Sequence, residues 1–585
     1  MEDLKSKQRR EFLNTVKDRK ADREKYMTSL RKQVKQEIFR KKRVMNKELR
    51  NLEEEAQQKK IFEETCKATN PKILDPTTTP EEALGMITET LKEPGKDAVI
   101  YEGLIKVLNE LLIEHSATII PEVIRVGTME ALSPFYEYVF EIPENHRKES
   151  IIFHFCGIIS NAFTTDDESY LEYLISNDLK ILEFLNKCLN EYSNDDWMLC
   201  DILFPLNNIL GSPSIREYVH QTDYLEILKK YCLNDPYNCS ANILQKLSWG
   251  LANYCDCKFE EDSKELHWII EAISYLLPIN EQYVKAHACL AISRLCDENE
   301  IGELAIKYNL GSFVLDIAFK SESFETKRCA LKALGGISSS EITSVSNYLI
   351  TLNIFDILMQ ILKENTGEIR TKTLWVVGNI SGDKNICNQE IFISIIELLE
   401  KDKSIDTMKE IMYVLSNTIH QISLSRPFVE TEIKKYSSRD IPFSENYDDY
   451  LSMGDKEIIA AKNNERLTFF IENTNIIQIM IGYLHTNPSD DVLSIMLDAF
   501  ANIFRIAECV RNSGENENFD RILRENFTYI GGCECIEALI TNPNADIASK
   551  ATSILTEYLS DAFSSENGGF DSMFKEEIKT DDLTF

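Results

Sequence analysis

Apolar residues recur at helical spacing from about residue 80 almost to the end of this chain. In the segment 344–381 they fall into three runs, SVSNYLI, IFDILMQILK and IRTKTLWVVGNIS. Thr351, Leu352 and Asn353 part the first two, and polar residues around Asn365 and Gly367 part the second from the third. Spacings of three and four place the apolar positions of each run on one helical face, while the Asn and Gly between runs supply turns. The pattern predicts two short helices and a longer one per unit. Nowhere does a convincing strand alternation appear, so the chain is expected to be all-α.

A second pattern lies on the longer helices. Trp375 and Asn379 stand four apart in WVVGN, and the same spacing joins Phe204 to Asn208, Trp249 to Asn253 and Tyr413 to Asn417. Residues at i and i+4 share a helical face, so each pair sets a flat ring beside an amide that both donates and accepts hydrogen bonds. With degenerate members included, the second positions fall at Asn208, Asn253, Arg294, Gly336, Asn379 and Asn417. A helical period of about 40 to 47 residues, to which these steps keep closely, marks armadillo or HEAT arrays, whose units bury their apolar faces only by stacking. Three helices per unit select the armadillo layout, an all-α right-handed superhelical solenoid. A lone Trp is ordinarily core and a lone Asn ordinarily surface; the shared register is what turns these pairs into candidate ligand contacts.

The register breaks once. From Asn417 to the next such position, Asn502, the step doubles, and the stretch 421–463 contains two prolines, polar clusters and no long-helix motif. An insertion into one repeat is expected there, with a degenerate extra repeat as the alternative. The organisation expected is a basic arm over 1–60, a linker over 61–78 carrying Pro71 and Pro76, about ten repeats over 79–562, and an acidic, disordered tail over 563–585.

Charge divides the chain sharply. Residues 1–50 hold 18 Lys and Arg against 8 Asp and Glu, whereas the whole chain has a net charge of -32. Met27, Leu30, Val34 and Ile38 form an apolar stripe on a helix that also carries Arg31, Lys32 and Lys35, and Arg40, Lys41, Lys42 and Arg43 follow. An acidic body repels nucleic acid and anionic membrane but attracts such an arm, so intramolecular docking is expected, with no direct nucleic-acid partner. No run of about 18 apolar residues offers a membrane span, and the 15 cysteines follow no framework spacing. The expected setting is soluble and intracellular. With 8 His and no phosphate loop, metal-ligand cluster or nucleophile motif, the residues point to no enzyme, cofactor or metal site.

Ring and amide pairs laid along successive third helices suit an extended peptide. The amides clamp its backbone, and paired rings receive lysine stems with cation–π attraction of about 0.5–2 kcal/mol. Asp383, four residues past Asn379, and Glu410, three before Tyr413, stand where they would flank a slot for Lys or Arg. The ligand expected is a short basic peptide.

These residues, in this order, resemble importin alpha. SLRKQVKQEIFRKKR is similar to the family's importin-beta-binding domain, WGLANYC and WVVGNISGD to its groove motifs, and KALGGISS to the repeat in which a basic residue replaces the Trp. MLDAFANIFRIAE and the segment from YIGGCECIEAL onward are similar to its last repeats. The resemblance implies an adaptor that shuttles between cytoplasm and nucleus, binds cargo proteins bearing basic nuclear localisation signals, and joins importin beta through the arm. It also implies that Arg40, Lys41 and Lys42 occupy the groove when that receptor is absent, and that an export receptor engages the C-terminal repeats. An armadillo scaffold without an import role is the alternative. The chain departs from the family in its early repeats. Phe153 and Gly157 supply no clamp amide, Phe204 replaces Trp and precedes Pro205, and Ser212 and His287 stand where acids are usual. Gly336 lacks the amide, and Lys372 also replaces an acid. The later site, over Trp375, Asn379, Asp383, Glu410, Tyr413 and Asn417, is expected to be the better preserved.

Overall fold

A computed structural model describes residues 77–93, 98–143, 145–165, 167–234, 239–260, 263–340, 342–381, 404–424, 476–486, 488–513 and 518–559, together with 73, 236, 394, 395, 397, 398 and 402. The basic arm with its candidate residues Arg31, Lys32, Lys35 and Arg40 to Arg43, Asp383, residues 425–463 of the expected insertion and the acidic tail lie outside them. Among the described residues every regular element is helical. They form two compact units that divide between Tyr254 and Cys255.

The first unit begins at the helix Pro80–Lys92. Thr79 Oγ1 accepts from Glu82 N at 3.2 Å, and the Glu82 carboxylate accepts from Thr79 N at 3.0 Å. This reciprocal cap, with Pro80 in the first turn where a missing N–H costs nothing, starts the helix where the loop residues end. Four long helices then pack in succession: α1 (Ala98–Glu114), α2 (Asn145–Ala162), α3 (Asp196–Leu210) and α4 (Ala241–Tyr254). In α3 every position from Ile202 to Leu210 is buried, because a long helix inside a stack has neighbours around most of its circumference. α3 runs unbroken through Pro205, where the sequence predicts a kink or a repositioned helix.

In the second unit the long helices are α5 (Gln282–Glu298), α6 (Phe324–Ser338), α7 (Glu368–Ser381), α8 (Ile405–Leu424), α9 (Asp490–Ser513) and α10 (Ala545–Tyr558), again packed in sequence. The three runs over 344–381 fold as helices Thr343–Thr351 and Ile354–Glu364 followed by α7. Asn353 joins the first two with φ of 56°, and Asn309 (54°) and Gly531 (84°) make the same left-handed turn in this unit. Asn and Gly enter that region at the least steric cost. Helix α8 continues to Leu424, past the expected start of the insertion, and it packs directly on α9. The doubled interval between Asn417 and Asn502 therefore makes one step of the stack.

Close approach between long helices depends on two adjacent glycines. A Cβ on Gly335 would overlap the six-membered ring of Trp375, and one on Gly336 would lie 2.7 Å from Cys296 Cβ. Trp375 of α7 thus rests on the backbone of α6, while α5 closes on the other glycine. Gly335→Ala is expected to destabilise the chain by about 1–3 kcal/mol through overpacking. Gly482→Ala, in the helix Ile476–Leu484 with nothing within 4 Å of its Cβ, is expected to stabilise by roughly 0.5–1 kcal/mol. Urea unfolding of the two variants should move in opposite directions.

Candidate peptide-binding rungs

The asparagines of the repeated pairs share one hydrogen bond. Asn253 Nδ2 donates to Asn207 O at 2.9 Å, Asn379 Nδ2 to Gly335 O at 3.0 Å, and Asn417 Nδ2 to Gly378 O at 3.2 Å. Each acceptor is the carbonyl just before the corresponding position one repeat earlier. Asn208 follows suit, with Nδ2 donating to Ser160 O at 2.9 Å and to Ser160 Oγ at 2.8 Å. The donor half of every amide is thereby committed to the preceding long helix, a tie worth about 0.5–1.5 kcal/mol net. The Oδ1 atoms of Asn208, Asn379 and Asn417 accept nothing from the described residues. That acceptor half is what remains for the N–H groups of a bound chain.

The same bond corrects the first rung. Since Asn208 reaches Ser160, the position matching it on α2 is Asn161, which is buried, not Gly157. The rung is Gly157 with Asn161, one helical turn later than the sequence pairing of Phe153 with Gly157, so the early amide is present and the ring is missing. Gly157 has its own reason to lack a side chain: a Cβ there would stand 2.6 Å from Oδ1 of buried Asn109 on α1.

Around the second rung, Phe204 is buried and Trp249 half-buried, their ring centroids 5.4 Å apart and inclined at 56°. Lys246 of α4 places its ammonium 4.6 Å from the Phe204 centroid and 5.8 Å from that of Trp249. A second buried network supports this corner. Asn207 Nδ2 donates to Lys246 O at 2.8 Å, and Tyr224 donates to Asn207 Oδ1 at 2.5 Å. Gly250 leaves the room, for a Cβ there would overlap the Tyr224 hydroxyl. Ser212 Oγ donates to Asn208 O at 3.3 Å.

In the second unit Trp375, Asn379, Glu410, Tyr413 and Asn417 are all half-buried on α7 and α8. Helix α6, which seats Trp375, carries Arg328 and Lys332. Arg328 of α6 binds the Glu325 carboxylate through Nε at 3.0 Å and Nη2 at 2.5 Å, with Glu368 of α7 at 3.7 Å. Burial first, and then the nearby Arg328 and Lys372 charges, bring the Lys332 ammonium down to about 8. On the α8 side, Glu410 precedes Tyr413 by three residues. Arg370 donates to Asp402 at 2.5 Å; burial would raise that carboxyl, but bonds from Ser404, Arg370 and Thr407 outweigh it and hold it at about 2. Neither the glycine seat of Trp375 nor the cation at the Phe204 rings was read from the sequence, although KALGG and the Lys three residues before each repeat Trp were there as signals.

No protein-family model and no curated protein matches the chain. Solved structures do. An engineered protein from a structural genomics consortium aligns with a TM-score of 0.54 at 15% identity, covering 82% of this chain and 98% of its own. A chain from a study of a phosphorylation switch controlling the interaction between cadherin and beta-catenin aligns with a TM-score of 0.50 at 13% identity, covering 82% and 83%. A designed armadillo repeat protein in complex with a (KR)4 peptide aligns over 41% of this chain and 99% of its own, at 19% identity and a TM-score of 0.34. The fold is an all-α armadillo-repeat solenoid.

Lys332 supplies a test of the charge environment on α6. Its ammonium is less stable folded than unfolded, so between about pH 8 and the ordinary lysine value near 10.4 the unfolded chain holds more protons and stability rises with pH. Lys332→Met keeps the apolar stem. Its melting temperature is expected to exceed that of the parent most at pH 7, the difference shrinking as pH passes from 8 to 10.

Proposed function

We propose that this chain is a nuclear import adaptor: it binds lysine- and arginine-rich localisation signals along its asparagine rungs and joins importin beta through its basic arm. The observation that carries the peptide-binding part is the shared geometry of Asn208, Asn379 and Asn417, whose Nδ2 is spent on the stack while Oδ1 keeps its capacity to accept. Acceptors repeated once per armadillo unit match the periodic N–H groups of an extended chain.

Charge refines where a basic side chain goes. On α6, burial and the charges of Arg328 and Lys372 already disfavour the Lys332 ammonium, so a further cation is disfavoured beside it. A ligand Lys or Arg therefore fits between Trp375 and Tyr413, on the side of Glu410. The import role rests on the resemblance of the arm, as do autoinhibition by Arg40, Lys41 and Lys42, the export receptor and shuttling between cytoplasm and nucleus. The net positive charge of residues 1–50 beside an acidic body supports arm docking.

Two measurements test this reading. Trp375→Ala with Asn379→Ala should weaken binding of a Lys/Arg octapeptide to the full chain by at least about tenfold, since two contacts each worth about 1 kcal/mol are lost; unchanged affinity rejects the later rungs as the site. The full chain should capture importin beta, and the chain lacking residues 1–60 should not while binding the octapeptide more tightly. Equal behaviour of the two would leave the armadillo scaffold as the better reading.

A further inference from the structure

We infer that Lys246 is a built-in plug of the first unit's aromatic slot, closing the Phe204 and Trp249 rung to basic side chains of a ligand. The inference rests on the peptide-binding reading above and names the rung that does not take part. A ligand lysine entering that slot would place its ammonium over the ring faces. Lys246 already does so, 4.6 Å from one centroid and 5.8 Å from the other, with the rings 5.4 Å apart. A second ammonium would meet both an occupied ring pair and a like charge.

Two features fix the plug in place. Lys246 stands three residues before Trp249, so the two side chains share a face of α4 and the long stem leans over the ring of α3. Its backbone is pinned as well, because buried Asn207 donates to Lys246 O at 2.8 Å and is held in turn by Tyr224 at 2.5 Å. The register of α4 against α3 is thereby locked at the residue that carries the cation. The amide of Asn208 is unaffected by the plug, so the rung keeps its backbone acceptor while losing its side-chain slot.

The test uses the full chain carrying Trp375→Ala and Asn379→Ala, which leaves the first unit to be read against the same octapeptide. Adding Lys246→Met should raise affinity by about 2- to 30-fold, the range that one cation–π contact spans. Lys246→Arg keeps a cation on the rings and should bring no gain. Lys229→Met removes a charge from the same unit, where Lys229 pairs with Glu226 at 3.2 Å, and should also bring none. No gain from Lys246→Met, or an equal gain from Lys229→Met, overturns the plug. If the parent chain binds the octapeptide through its later rungs in either of those cases, the peptide-binding reading survives alone. If neither the parent nor Lys246→Met binds it, both readings fall together.

Discussion

A helix with a broad apolar face is stable in water only against others, and among its described residues this chain packs ten long helices in succession within its two units. Everything else follows from that constraint. Each long helix must approach the next closely enough to exclude water. Gly157, Gly250, Gly335 and Gly336 stand where a side chain would collide with a neighbouring helix's side chain or packed group. Each must also keep register with the next, and the asparagine amides supply that through a bond to the same carbonyl position in every case where it forms. Ligand chemistry is built on what these two demands leave over.

Much of the architecture was legible from residue spacing. The triad over 344–381 reads as helices at nearly the observed boundaries, because apolar periodicity and the Asn and Gly between runs are local properties. The pairing of rings and amides was also legible wherever both members survive, as at Trp249 with Asn253 and Trp375 with Asn379. What failed was the alignment of the first rung. Phe153 with Gly157 satisfies the spacing as well as Gly157 with Asn161 does, and only the bond from Asn208 to Ser160 separates them. A period that drifts by several positions from one repeat to the next cannot resolve a shift of one turn.

Nor could the sequence say what a residue does to the next repeat. Gly336 reads as a rung that has lost its amide, yet with Gly335 it forms the seat on which Trp375 and α5 close. Lys246 reads as one more surface cation, since nothing local tells whether its stem leans toward solvent or across to Phe204. Asn207, beside the predicted Asn208, gave no signal at all, and it proves the more deeply buried of the two. In each case the missing information is the identity of the neighbour one repeat away, which periodicity counts but does not describe.

The division of labour within each asparagine bears on what a single substitution does. The donor nitrogen secures the stack while, in Asn208, Asn379 and Asn417, the oxygen accepts nothing from the described residues, so one side chain carries two separate duties. A change at the amide therefore alters recognition and stability together. An amide lost from one rung costs the stack a tie and the groove an acceptor at once, whereas a ring capped by a lysine, as at Phe204, leaves the tie between helices in place.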